Sequence, residues 1–206
     1  MIGVVDYAAG NAPSVLYALE RLGLPARAVA RPAELAEVDR IILPGVGAAA
    51  ATMDSLGAAG LVEPLGQRVL EESVPFLGIC VGLQILFERS EEGDTECLGW
   101  LPGTVRRFAG EGLRVPQMGW NEVRTERAHP FLDGLPAEDF FYFVNSYYAE
   151  PDDPEVVLGT TEYGGRFAAV VGRGAIVATQ FHAEKSGEAG LRLLSSFAAL
   201  EPVAAC

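Results

Sequence analysis

Residues 74–87, VPFLGICVGLQILF, run from an apolar, strand-like segment straight into a helical pattern, with Cys80 at the bend between Gly78 and Gly82. A free cysteine in such a setting ordinarily serves as a small apolar filler. Gly-x-Cys-x-Gly also has a second reading, as the thiol form of the strained strand-to-helix elbow that lifts a nucleophile above the end of an α/β sheet. Gly78 and Gly82 would then remove the side chains that obstruct the tight turn and the close packing of the helix. A thiol in the first turn of that helix lies near unpaired backbone N–H groups, which favour its anion. The elbow alone leaves both readings open.

Upstream of it, short apolar runs alternate with helical patterns. IGVVDY, PARAVA, DRIILPG and VPFLGIC predict strands, the third ending in GVGAAAATMDSL, and NAPSVLYALERLGL, PAELAEV and LVEPLGQRVLEES predict helices among them. Asn11 is placed to cap the first helix, with Pro13 in its first turn. Such repeats build an open, mostly parallel α/β sheet with helices on both faces, a flavodoxin-like arrangement. Downstream, GTVRRF, LRVPQM, DFFYFVNSYYA, EVVLGTTEY, RFAAVVGRG and AIVATQFH predict strands with few helices among them, so antiparallel pairs extend the sheet. SGEAGLRLLSSFAAL predicts a closing helix, and the tail EPVAAC is expected to fray. At 206 residues, with neither repeats nor a linker, the whole chain (1–206) is expected to be one domain.

Half of the residues are apolar, yet no run approaches the roughly 18 to 20 needed to span a bilayer, and the N-terminus lacks the features of a signal peptide. A soluble, cytoplasmic protein is expected. The formal net charge of −13 repels phosphate backbones and anionic lipids, so neither nucleic acid nor a membrane is an expected partner. Three cysteines, Cys80, Cys97 and Cys206, without CxxC spacing and with only two histidines beside them, support neither a disulfide framework nor a metal site. No metal and no cofactor are expected.

A cysteine nucleophile needs a proton-transfer partner, and the candidates are His129 and His182. His129 precedes a proline in a polar, turn-like segment and is expected in an exposed loop. His182 ends the strand AIVATQFH, and Glu184 follows two positions on. In extended backbone those two side chains share a face, so the carboxylate would orient the imidazole at the carboxyl end of the sheet. Taken alone, FHAEKS reads more readily as an ordinary strand end and polar turn; together with the elbow, the catalytic reading prevails. LPGVGA, after the third strand, offers glycine-flanked amides for an oxyanion hole; a phosphate loop would need Gly-Lys-Ser/Thr or a full G-x-G-x-x-G, which are missing.

Taken together, GICVGLQ and QFHAEKS resemble the triad, or class I, glutamine amidotransferases. DYAAGNAPSV, LPGVGA, SEEG, GTVRRF, VPQMGWN and FYFVNSYY, in order from residue 6 to residue 148, narrow the resemblance to the glutaminase subunits of imidazole glycerol phosphate synthases. The resemblance implies a triad in which Cys80 attacks the glutamine carboxamide, His182 passes its proton to the departing ammonia and then activates water, and Glu184 holds the ring. It implies Val46 and Val81 as oxyanion amides and Gly47, Gln84, Ser146 and Tyr147 as the grip on glutamine. Gln84 also fits a helix surface, and Ser146 and Tyr147 fit ordinary strand pairs. Three positions depart from the family pattern: Gln117 and Asn145 stand where histidines are usual, and Ala183 replaces a proline. The last relaxes the backbone between His182 and Glu184.

The family further implies a partner, a (β/α)8-barrel cyclase that receives the ammonia in a heterodimer, with Asn11, Trp120, Asn121, Tyr142 and Lys185 at the interface. The little chain on either side of these motifs agrees with an acceptor site on another polypeptide. Trp120 fits an interface centre as well as a core. Three other functions stay open: an amidotransferase subunit feeding a different synthase, a stand-alone thiol hydrolase, and a silent scaffold. The full Cys80, His182 and Glu184 set weighs against the last.

Overall fold

The computed structural model describes residues 1–8 and 10–201; the expectations for Cys206 and for the tail beyond Glu201 fall outside them. The apolar runs of the first half form β1 (Ile2–Val5), β2 (Ala26–Val29), β3 (Arg40–Gly45) and β4 (Phe76–Cys80). β1, β3 and β4 are buried almost residue for residue, which is why they show continuous apolar runs and no alternation. The connections carry α1 (Ala12–Arg21), α2 (Pro32–Leu35), α3 (Ala49–Ala58) and α4 (Val62–Gly66). α5 (Val81–Gln84) follows the elbow, and α6 (Gly187–Ala199) closes the described chain. α1 buries Ala12, Val15, Ala18 and Leu19, a stripe at helical spacing.

The second half supplies β5 (Arg89–Ser90), β6 (Thr95–Glu96), β7 (Gly103–Arg107), β8 (Gln117–Thr125) and β9 (Glu138–Asn145). β10 (Tyr147–Pro151), β11 (Val157–Glu162), β12 (Arg166–Arg173) and β13 (Ile176–Thr179) complete it. The parallel core runs β2-β1-β3-β4-β13. β12 then pairs antiparallel with β13, β10 and β11, and the β8–β9 pair joins through β11. This is the class of sheet the pattern predicts, parallel first and antiparallel after. Among the described residues no helix is long and apolar enough to cross a membrane.

Local departures have local causes. The strand expected over LRVPQM starts only at Gln117, because Pro116 has no N–H to place in a ladder, and it runs on to Thr125. The long strand expected over residues 139–149 breaks at Ser146 into β9 and β10. The helix expected over residues 61–73 is α4 followed by a π-helical turn, Gln67–Glu71. Asn11 flanks α1 but makes no side-chain cap; its carboxamide is used elsewhere, as described below.

The two glycines of the elbow act as expected. A Cβ on Gly82 would sit 2.0 Å from the Leu43 carbonyl oxygen, and one on Gly78 would sit 2.5 Å from the Gly82 oxygen. β3 and β4 are hydrogen-bonded in register through Gly45 and Cys80, so neither strand can give way. Gly82→Ala should therefore cost at least about 2 kcal/mol in denaturant unfolding, as overpacking against backbone does. A loss under about 0.5 kcal/mol would show that the elbow is not packed this tightly.

Candidate active site

Cys80 ends β4 with φ 57° and ψ −107°, a left-handed backbone that costs a non-glycine residue about 1–3 kcal/mol. β4 lies between β3 and β13, which hold it on both edges and over-determine the strain. α5 is a single turn, shorter than the pattern suggests, so any field at the sulfur comes from individual amides and not from a long helix dipole. Cys80 is 4 % exposed, and its sulfur opens on a cavity of about 270 Å³. That is near the lower end of small-molecule sites, ~300–1,000 Å³.

His182 lies three residues beyond the end of β13, in a segment that still bonds like a strand: its N–H donates to the Tyr142 carbonyl at 3.0 Å. Its Nδ1 meets Glu184 Oε1 at 2.9 Å. The expected pairing forms, but by another route, since Glu184 sits in a 3-10 turn, Ala183–Lys185, and not in extended backbone. Ser186 locks this turn, donating to the His182 carbonyl at 2.7 Å and accepting from the Tyr142 N–H at 3.0 Å. Asn11 Nδ2 donates to Glu184 Oε1 at 3.0 Å. These bonds hold Glu184 even with Ala183 in place of a proline.

The electrostatics favour a charged imidazole. Burial pushes the His182 ring toward its neutral form, but hydrogen bonding to Cys80 and Glu184 and their charges outweigh it, raising the ring from the ordinary 6.5 to about 9. Cys97 is the opposite case: half-buried, with its thiol pushed up to about 11 chiefly by desolvation, it is a poor nucleophile. His129 is a half-buried cap and not an exposed loop residue; its Nδ1 accepts from the Phe131 N–H at 3.1 Å. It borders a larger cavity, about 440 Å³, at the opposite end of β4 and β13 beside Pro75 and Gly174.

Val46, Gly47, Val81, Gln84, Ser146, Tyr147 and Lys185 border the same cavity as Cys80 and His182. Tyr7 steadies its rim by donating to the Pro44 carbonyl at 2.9 Å, two residues before Val46. Gln84 is buried and not on a helix surface; its Nε2 donates to the Tyr147 carbonyl at 3.0 Å and to Gln180 Oε1 at 3.1 Å. Gln117 and Asn145 face each other across β8 and β9, both buried, and Asn145 Nδ2 donates to the same Tyr147 carbonyl at 2.9 Å. Trp120 is 57 % exposed and stands edge-on to Tyr142, ring centroids 6.0 Å apart, so it is a surface residue and not a core one. Asn121 points to the other face of β8 and donates to the Glu162 carbonyl.

Three contributors carry no motif that singles them out. Glu92 borders the cavity and caps α3, its Oε2 accepting from the Ala49 N–H at 2.8 Å. Gln180 and Ser186 are buried polar residues around the triad. Only their position inside QFHAEKS and SEEG hints at them, because their partners lie far away in sequence.

The model of the family described as glutamine amidotransferase class-I matches residues 3–199. The chain belongs to the class I glutamine amidotransferases. It is 47 % identical over 204 residues to the imidazole glycerol phosphate synthase subunit HisH of Syntrophotalea carbinolica, covering 96 % of this chain and 98 % of that one. The HisH subunit of Herpetosiphon aurantiacus is 48 % identical, with 97 % and 94 % covered. Among solved structures, a glutamine amidotransferase superposes with a TM-score of 0.76 at 24 % identity, covering 96 % of this chain and 97 % of that one. PurLQS from Thermotoga maritima does so with 0.75 at 21 %, covering 96 % and 97 %. These two likenesses concern the fold of the amidotransferase.

A raised histidine contributes stability that is complete below its unfolded value, near 6.5, and is lost as pH rises through its folded value. In this amidotransferase the His182 ring should titrate near pH 9 by imidazole NMR, and unfolding free energy should decline between those two values. Glu184→Gln should lower the midpoint by about one unit or more. A parent midpoint at 6.5 or below would refute the pairing.

Proposed function

We infer that this chain is the glutaminase subunit of imidazole glycerol phosphate synthase, acting in histidine biosynthesis in the cytoplasm as one domain. The observation that carries the inference is a cysteine on a strained elbow whose cavity also holds a histidine locked to a buried glutamate, in a chain nearly half identical to HisH subunits over its length.

The chemistry follows from the groups present. The Cys80 sulfur anion attacks the carboxamide carbon of L-glutamine, and the amides of Val46 and Val81 take up the charge on the carbonyl oxygen. The C–N bond breaks as the His182 imidazolium gives its proton to the leaving nitrogen, releasing ammonia and a glutamyl thioester on Cys80. Neutral His182 then takes a proton from water, which attacks the thioester; the C–S bond breaks and glutamate departs. Glu184 keeps the ring oriented through both steps. Gly47, Gln84, Ser146 and Tyr147 grip the substrate. Glu92 is the one acidic side chain bordering the cavity among the described residues, which suits it to the α-ammonium group.

Ammonia set free beside water is protonated and diluted, so a partner should cover the site. An exposed apolar strip, Met118, Trp120 and Phe140, lies on β8 and β9 and reaches the cavity through Val144, the cross-strand neighbour of Met118. Such a patch marks an interaction surface. The partner that fits is a (β/α)8-barrel cyclase, docking over Trp120, Tyr142, Asn11 and Lys185, with Asn121 at the margin. A subunit feeding a different synthase would show the same triad, and the acceptor distinguishes the two.

A mixing assay with a cognate cyclase tests the reading. Glutamate release should be slow for the chain alone, rise at least tenfold with cyclase and its ribulosyl-phosphate substrate, and vanish in Cys80→Ala. Brisk turnover without cyclase, or no stimulation by it, would count against the assignment.

A further inference from the structure

Gln180 has no part in the mechanism above, yet two parts of that mechanism meet on it. It directly follows β13, and its backbone N–H donates to the Ala169 carbonyl at 2.8 Å, fixing where the side chain leaves the chain. That side chain is fully buried. One end of its carboxamide, Nε2, donates to Cys80 Sγ across 3.8 Å, and the other end, Oε1, accepts from Gln84 Nε2 at 3.1 Å. Gln84 gives its second N–H to the Tyr147 carbonyl. Both donors of Gln84 are thereby committed, and its carbonyl oxygen is the atom left to face the cavity.

We propose that Gln180 is a positioning residue that ties the nucleophile to the substrate-binding wall: its N–H steadies the sulfur anion, and its carbonyl sets the orientation of Gln84. The proposal rests on the glutaminase reading. The orientation of the Gln180 amide follows from its neighbours, because the reverse rotamer would set NH₂ against NH₂ and an oxygen lone pair against an anionic sulfur. An N–H···S contact of this length is modest by itself. In a buried site it still favours the charged sulfur over the neutral thiol, and the linked amides polarise one another. Held this way, Gln84 shows the cavity an acceptor, which bonds an N–H group of glutamine and repels the second carboxylate of glutamate. Gln180 thus acts on two steps through two neighbours, sulfur attack and discrimination of substrate from product.

The test separates the two ends of the amide in the full chain. Gln180→Met keeps the bulk and removes both contacts; Gln180→Glu keeps an acceptor for Gln84 and removes the donor to sulfur. Alkylation of Cys80 by iodoacetamide, which needs no glutamine recognition, should slow about tenfold at pH 7 in both variants and recover toward the parent rate at pH 10. In glutamine turnover with cyclase present, Gln180→Met should raise KM and lower kcat. Gln180→Glu should lower kcat with KM within about threefold of the parent. A structural role alone would shift the melting temperature without moving the pH profile of alkylation. Parent-like alkylation at pH 7 in Gln180→Met overturns the proposal, and this variant decides even if the buried charge of Gln180→Glu prevents folding. A parent chain that alkylates at Cys80 but never hydrolyses glutamine would sink the glutaminase reading instead.

Discussion

Cys80 can hold its left-handed backbone because β4 has no freedom to relax it. The strand is paired on one side through Gly45 of β3 and on the other through Thr179 of β13, and the turn after it is pressed against the Leu43 carbonyl at Gly82. The strain of about 1–3 kcal/mol is small beside the ladder that enforces it. Its consequence is that the sulfur leaves the sheet at the carboxyl edge, where the loops after β3 and β13 converge. The rest of the site is arranged around a thiol whose position is set by backbone.

The second half of the chain brings the proton chemistry to that point. The segment after β13 continues along the sheet, so His182 is anchored by Tyr142 of β9, and Ser186 ties the same two residues together a second time. The side chain of Glu184 is fully buried and shares one oxygen between His182 and Asn11. A buried carboxylate needs such partners to stay charged. Here it helps to keep the imidazole charged in turn, and in the proposed mechanism a positive ring beside the sulfur is the state from which attack and protonation of the leaving group proceed.

Much of this was legible in the sequence, for identifiable reasons. Strands buried on both faces announce themselves as unbroken runs of Val, Ile and Leu, and the elbow glycines are demanded by close backbone contact. β8 lies further along the chain than the apolar pattern predicts because its signal is weak: along Gln117–Thr125 only Gln117 and Val123 are buried, and Met118 and Trp120 face outward. The triad residues carried a local pattern, although the turn that joins His182 to Glu184 did not follow from strand periodicity. Gln180, Ser186, Glu92 and the bond from Asn11 to Glu184 were hidden, because each works through a partner tens of residues away and no short-range rule links them.

In the proposed reaction everything turns on Cys80 as the nucleophile, its sulfur bonded to the substrate's carbonyl carbon during turnover. Rapid acid quench of the cyclase-bound enzyme mixed with glutamine, followed by peptide mass mapping, reads this directly. A glutamyl thioester is expected on the peptide that carries Cys80, and none on the Cys97 peptide. Full turnover with no adduct on Cys80, or an adduct carried by Cys97, would contradict it.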